Sequence, residues 1–221
     1  MKKFIILFFF IIFFNTIFSI DFTKDTFKYE TDKIKIIYEY PMFKEEKFNE
    51  VNGIIKEKIR NMFEKDYGEI VKISKEDTFF QKLVFFSDLS CSIFGISNDY
   101  VSIRFYNESY TGGAHPVHYY FPFNFDLNSK KEVDLKEYYK LKKDRLKKLA
   151  DFCEKDIKNQ MKENITEDVQ FSIPLDFETF KVFNINENGI YFTFNEYSIL
   201  PYYLGSYTVF IPKEKFLELI K

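Results

Sequence analysis

The chain has 221 residues, of which 46% are hydrophobic and 30% charged, a balance that excludes an intrinsically disordered segment and supplies apolar material for one large or two small domains. Its formal net charge of −2 argues against nucleic acid as a partner. The 30 Phe and 16 Tyr, with no Trp, make aromatic residues so common that a ring in the sequence marks no site by itself.

Met1-Lys2-Lys3, an apolar run over residues 4–14 and Asn15-Thr16-Ile17-Phe18-Ser19 read as a secretory signal peptide, residues 1–19, with cleavage after Ser19. Asn15 and Thr16 interrupt the run before the roughly 20 apolar residues of a comfortable membrane span. The expectation is an exported chain, periplasmic or extracellular, attached to a membrane only if the leader is retained. Without Lys2 and Lys3 the mature chain keeps 30 basic against 34 acidic residues.

Residues 27–29 and 34–40 show strand spacing around Thr31-Asp32, which predicts a hairpin ended by Pro41. Phe48, Val51, Ile55, Ile59, Met62 and Phe63 then recur at steps of three and four, one buried helix face that should stop near Asp66-Tyr67-Gly68. Residues 82–96 read as one long or bulged strand, Ser97-Asn98-Asp99 as a turn, and 100–106 as a strand with one buried face. A strand over 119–127 carries Phe121, Phe123 and Phe125 on one face and turns at Asn128-Ser129-Lys130 into residues 131–135. A second helix over 141–161 aligns Leu146, Leu149, Cys153, Ile157 and Met161. Residues 180–186 and 190–194 flank the hairpin signal Asn186-Glu187-Asn188-Gly189; an irregular aromatic loop (197–205), a strand (207–211) and a short helix (213–220) follow. Hairpins grouped between helices predict an α+β fold, an antiparallel sheet with helices packed on it, in two sub-modules after the signal peptide.

Cys91 and Cys153 lie in an export context where disulfides persist, and pairing them would close a long loop worth a few kcal/mol. One falls in a strand-like run and the other in a helical one, so two buried free thiols are the alternative.

The loop Tyr110-Thr111-Gly112-Gly113-Ala114-His115-Pro116 joins two predicted strands. Two adjacent glycines take positive φ without a Cβ penalty, and Pro116 pushes His115 toward an extended backbone, so the loop has a specified shape. Tyr110, Gly112, Gly113, His115 and Tyr119 are the candidate ligand-binding residues: the glycines admit a ligand close to backbone N–H groups, and the tyrosines offer flat surface to a protein or a sugar ring. The competing reading is purely architectural.

That loop, together with Asn124-Phe125-Asp126-Leu127 and the run from Tyr197 through Pro201-Tyr202 and Gly205 to Val209-Phe210-Ile211-Pro212, resembles an exported domain family of unknown function. The family includes the extracytoplasmic, lysozyme-binding domain of the anti-sigma factor RsiV and the accessory region of PdaC-type peptidoglycan deacetylases. The resemblance implies a PdaC-like module over residues 20–78 and an RsiV-like domain over 79–221, with a curved antiparallel sheet and lysozyme or a peptidoglycan-related ligand as partner. Two departures stand out: only Met1-Lys2-Lys3 precedes the apolar run, and the deacetylase catalytic domain with its metal-binding motifs is not in this sequence.

His115 and His118 form His-x-x-His, but on a strand residues three apart point to opposite faces, and no third histidine or cysteine pair completes a ligand set; neither metal nor cofactor is expected. An envelope polysaccharide hydrolase or deacetylase using His115 and Asp126 is the alternative function, and Glu108 with Glu196 can be written as paired carboxylates. Against it, His115 can tether the loop and Asp126 can accept backbone N–H groups at the next turn. The expectation is a non-enzymatic, exported binding domain of the cell envelope.

Overall fold

The structure, a computed structural model, describes residues 21–76, 83–164 and 169–221. The expected signal peptide, and the expected boundary between residues 78 and 79, lie outside them. Strands β1 (Phe22–Glu30) and β2 (Ile34–Phe43) form the first hairpin, with the Thr31 hydroxyl accepting from the N–H groups of Lys33 and Ile34 at its turn. In β2, Ile34, Ile36, Tyr38 and Tyr40 are buried while Lys35, Ile37 and Glu39 face the other way, so the strand presents one dry face.

Helix α1 (Asn49–Glu76) lays Val51, Ile55 and Ile59 on that face. Asn52, a poor helix former, is buried because its amide closes a two-way pair with Phe43: Oδ1 accepts from the Phe43 N–H at 2.9 Å and Nδ2 donates to the Phe43 carbonyl at 2.8 Å. The helix does not stop at Gly68 as expected. A helical glycine costs only about 1 kcal/mol, and two residues further on Ile70 is buried, with Val71 and Ile73 packed beside it, which offsets that cost.

Because α1 carries the chain back along the sheet, β3 (Phe85–Ile96) pairs with β2 in parallel, Ile34 opposite Phe85 and Tyr38 opposite Leu89. One parallel pair therefore sits in a sheet that is otherwise antiparallel; such a pair needs a crossover of a dozen residues or more, which α1 provides. β4 (Tyr100–Tyr110), β5 (Val117–Asp126) and the short β6 (Lys131–Glu132) complete a six-stranded sheet in chain order. β3 is bulged between Ile93 and Gly95, as its length suggested.

The rest of the chain builds a second core: α2 (Leu135–Tyr138), α3 (Leu146–Asn164), a three-stranded antiparallel sheet of β7 (Phe183–Asn186), β8 (Gly189–Phe194) and β9 (Tyr207–Pro212), and α4 (Lys213–Leu219). Leu146, Leu149, Cys153 and Ile157 of α3 are fully buried against Phe180, Phe192, Phe194 and Val209. Among the described residues no helix is long and apolar enough to cross a membrane.

The two bodies meet on the face of the large sheet opposite α1. Ser102 is the junction: its hydroxyl donates to Asn124 Oδ1 at 2.6 Å and accepts from Asn184 Nδ2 and the Ile185 N–H, while Asn124 Nδ2 donates to the Phe183 carbonyl. Arg104 lies between the rings of Phe94 and Tyr120, 4.6 and 4.7 Å from their centroids, and donates to the hydroxyls of Thr193 and Thr208. Gly95 allows the close approach, since a Cβ there would stand 2.6 Å from the Ile185 carbonyl oxygen.

The proposed Cys91–Cys153 disulfide does not form. Both thiols are free, and they belong to different cores, Cys91 on the β3 face under α1 and Cys153 within α3. Burial pushes the Cys91 thiol up to about 11 and raises that of Cys153 further, so neither is a reactive thiolate at neutral pH.

Candidate functional site

The glycine loop joins β4 to β5 as an antiparallel hairpin, Ser109 opposite Val117. Gly112 supplies the positive φ, +94°, and Gly113 does not. On the face away from α1 the register lines up Asp88, Glu108 and His118 across three strands, with Ser90, Tyr106 and Tyr120 as the next rung. The smaller sheet covers this face only at its Ser102 and Arg104 end. At the hairpin end the loop after β8 folds over it.

That loop is held by three sets of contacts. Asn195 exchanges two hydrogen bonds with the Tyr120 backbone, at 2.7 and 2.9 Å, in the manner of a strand neighbour. Glu196 reaches His118, Oε1 lying 3.1 Å from Nδ1, while Glu108 Oε1 lies 3.4 Å from Nε2 on the other side of the ring. Tyr202 stacks on His115 with 3.8 Å between centroids and donates its hydroxyl to the Pro116 carbonyl at 3.3 Å, an oxygen that also lies 2.8 Å from His115 Nδ1. The rings of Tyr106, His118, Tyr202 and Tyr197 lie at 5.7–6.1 Å spacings within 27° of parallel, forming a short aromatic ladder. At its outer end Tyr197 is 68% exposed, and Tyr203, the residue after Tyr202, is 74% exposed.

His118 thus lies between Glu108 and Glu196, one carboxylate facing each ring nitrogen. Among the described residues no serine, threonine or cysteine is hydrogen-bonded to either histidine, and no group of three or more His, Cys, Asp or Glu side chains is placed to hold a metal ion.

His115 comes together with Tyr202 and lies near His118, because it precedes the first residue of β5 and strand alternation does not govern it. Tyr110 packs on Phe86 at the base of the loop, and Gly112 and Gly113 form its crest. Tyr119 points to the opposite face, where its ring lies beside Phe121 and burial raises its phenol pKa. The pairing of His115 with Asp126 is overturned. His115 lies before the start of the ten-residue β5 and Asp126 is its last residue, roughly 30 Å from that start at a strand's rise per residue, and Asp126 caps the next turn by accepting from the N–H groups of Asn128 and Ser129. Glu108 and Glu196 do converge, on His118. Tyr202 is the contact sequence reasoning did not single out, though the aromatic run 197–205 was the available signal.

Residues 16–118 match the family model described as "Deacetylase PdaC", and residues 139–214 match "Protein of unknown function (DUF3298)". The chain resembles the two families in series. The PdaC-type match runs past residue 78 through β3, β4 and the glycine loop, and the DUF3298 match covers most of the second core, from after α2 to the start of α4. A crystal structure of a DUF3298 family member from Bacteroides fragilis shares the fold, with 15% identity, a TM-score of 0.53, and coverage of 89% of this chain and 91% of that one. A DUF3298 family protein from Pseudomonas aeruginosa aligns with 13% identity and a TM-score of 0.45 over 87% and 89%. Comparison with curated proteins gives no match.

Proposed function

We propose that this chain is an exported, non-enzymatic binding domain of the cell envelope and that the hairpin end of the large sheet is its contact surface. The observation that carries the reading is the aromatic ladder ending in exposed Tyr197, with exposed Tyr203 next in the chain to its member Tyr202 and with Glu196 and Glu108 at His118. Solvent-facing tyrosines backed by a rigid stack lose little conformational freedom on contact, which suits a protein surface or a sugar ring. Glu108, the more exposed of the two carboxylates, favours a basic partner at the rim. Lysozyme, a basic protein that attacks the envelope, is the first candidate, and peptidoglycan the second. The leader read over residues 1–19 and the resemblance to PdaC-type and DUF3298 proteins support an envelope setting.

The test is titration of the purified chain with lysozyme by calorimetry, alongside co-sedimentation with insoluble peptidoglycan. Binding to either is expected, weakened about tenfold or more by Tyr203→Ala, a loss of roughly 1.4 kcal/mol. Binding to neither, or binding untouched by both Tyr203→Ala and Tyr197→Ala, would reject this surface.

A further inference from the structure

At the other end of β4 from the hairpin, where the two sheets diverge, lies a cleft of about 620 Å³, within the roughly 300–1,000 Å³ range of small-ligand sites. Its walls come from both bodies: the bulged end of β3, Tyr100 at the start of β4, the β7–β8 turn, α2 and α4. The lining combines ring faces with polar groups. Tyr139 packs edge-on against Tyr138 and Phe216, at 5.0 and 4.8 Å between centroids, so the aromatic wall is rigid, while Tyr138 is 47% exposed and open to a ligand.

Ser97, Asp99 and Asn186 are held by hydrogen bonds within the fold, but other polar groups of the lining are not. Among the described residues the hydroxyls of Tyr100, Tyr138 and Tyr139 have no hydrogen-bond partner. Burial pushes the Tyr139 phenol up to about 12 and raises those of Tyr100 and Tyr138, with Glu187 acting on Tyr100 and Asp99 on both, so all three remain O–H donors and share one neighbourhood. Glu187 and Lys213 both line the cleft without an ion pair to each other or to any described residue.

We infer that this cleft is a saccharide-binding site, in which the ring of Tyr138 stacks on the apolar face of a sugar while Glu187 accepts from, and Lys213 and the phenols donate to, its hydroxyls. Asp99, Glu187 and Lys213 give the cleft charges of both signs, so a ligand carrying a single sign would meet unfavourable as well as favourable groups. An apolar ligand would leave the phenols and both charges unpaired, at the cost of their desolvation. A neutral ring with apolar faces and a rim of donor–acceptor hydroxyls matches every group present.

The site is separate from the hairpin face, so the two are tested independently. Saturation-transfer NMR on the purified chain would use chitotriose, maltotriose and an uncharged aromatic tetrapeptide as probes at millimolar concentration. Transfer to one or both saccharides is expected, with affinity reduced about tenfold in Tyr138→Ala and in the isosteric Glu187→Gln, each checked for an unchanged melting temperature, and with no change in Tyr203→Ala. Transfer to neither saccharide, transfer to the peptide alone, or saccharide affinity unchanged in both cleft variants would overturn the assignment.

Discussion

Gly112 has φ of +94°, a region that L-residues with a Cβ enter only under strain, and a Cβ there would also touch the Phe85 ring at 3.5 Å. Gly112→Val should therefore cost about 1–3 kcal/mol in urea unfolding, whereas Gly113→Ala, at ordinary φ with 3.7 Å of clearance, should be neutral within about 0.5 kcal/mol. Equal losses at both positions would contradict the assignment of the strained residue. Asp88 gives a pH-dependent counterpart. Burial raises its carboxyl pKa; Lys35 at 3.7 Å opposes the rise, and Glu108 across the strand pair adds to it. A carboxyl whose folded pKa exceeds its unfolded value contributes stability that is fully present below the unfolded pKa, about 3.9, and is lost as pH rises through the folded one. Asp88→Asn mimics the neutral form, so it should raise the melting temperature at pH 7 and lose that advantage below about pH 3.9. The side chain is 41% exposed, which keeps the gain small. A lower melting temperature for the variant at pH 7 would show that the pair with Lys35 outweighs burial.

At the scale of elements, Asn52 is what ties the start of α1 to the end of β2. Asn52→Ala leaves a buried N–H and a buried carbonyl of Phe43 without partners and should cost about 2–4 kcal/mol; Asn52→Asp, keeping the acceptor but losing the donor, should not restore the loss. A denaturation midpoint unchanged in Asn52→Ala would refute the role. This residue also shows where reading the sequence runs out. Helix and strand positions follow from periodicity, so the stripe of Val51, Ile55 and Ile59 and the alternation in β4 were legible. Asn52 is a poor helix former whose compensating partner is fixed by tertiary contact and not by spacing. The parallel pairing of β2 with β3 was hidden for the same reason: the pattern reveals a helix between two strands but not which edge the second strand joins. At the site, the glycine loop was evident from composition, while His118 meets Glu196 across 78 residues of chain and Tyr202 is one ring among many.

For the molecule as a whole, separate cores make the cysteines independent of each other. Denatured protein without reductant should bind two equivalents of a thiol reagent per chain, and none if a bridge existed. Double substitution to alanine should lower stability through lost packing, chiefly at fully buried Cys153, with no separate loss from removal of a cross-link. The contact between the bodies has a different character. Arg104, whose pKa is lowered by burial, reaches across with directional hydrogen bonds to Thr193 and Thr208 while two rings confine its plane. Greasy surfaces tolerate sliding, whereas a planar fork accepts few orientations. Arg104 therefore pins the angle between the bodies, with the hairpin face on one side and the cleft on the other, while the Ser102 cluster holds them together. Arg104→Met should keep both cores folded yet broaden the distribution of distances between spin labels placed on α1 and α3, and an unchanged distribution would show that the Ser102 cluster alone sets the angle.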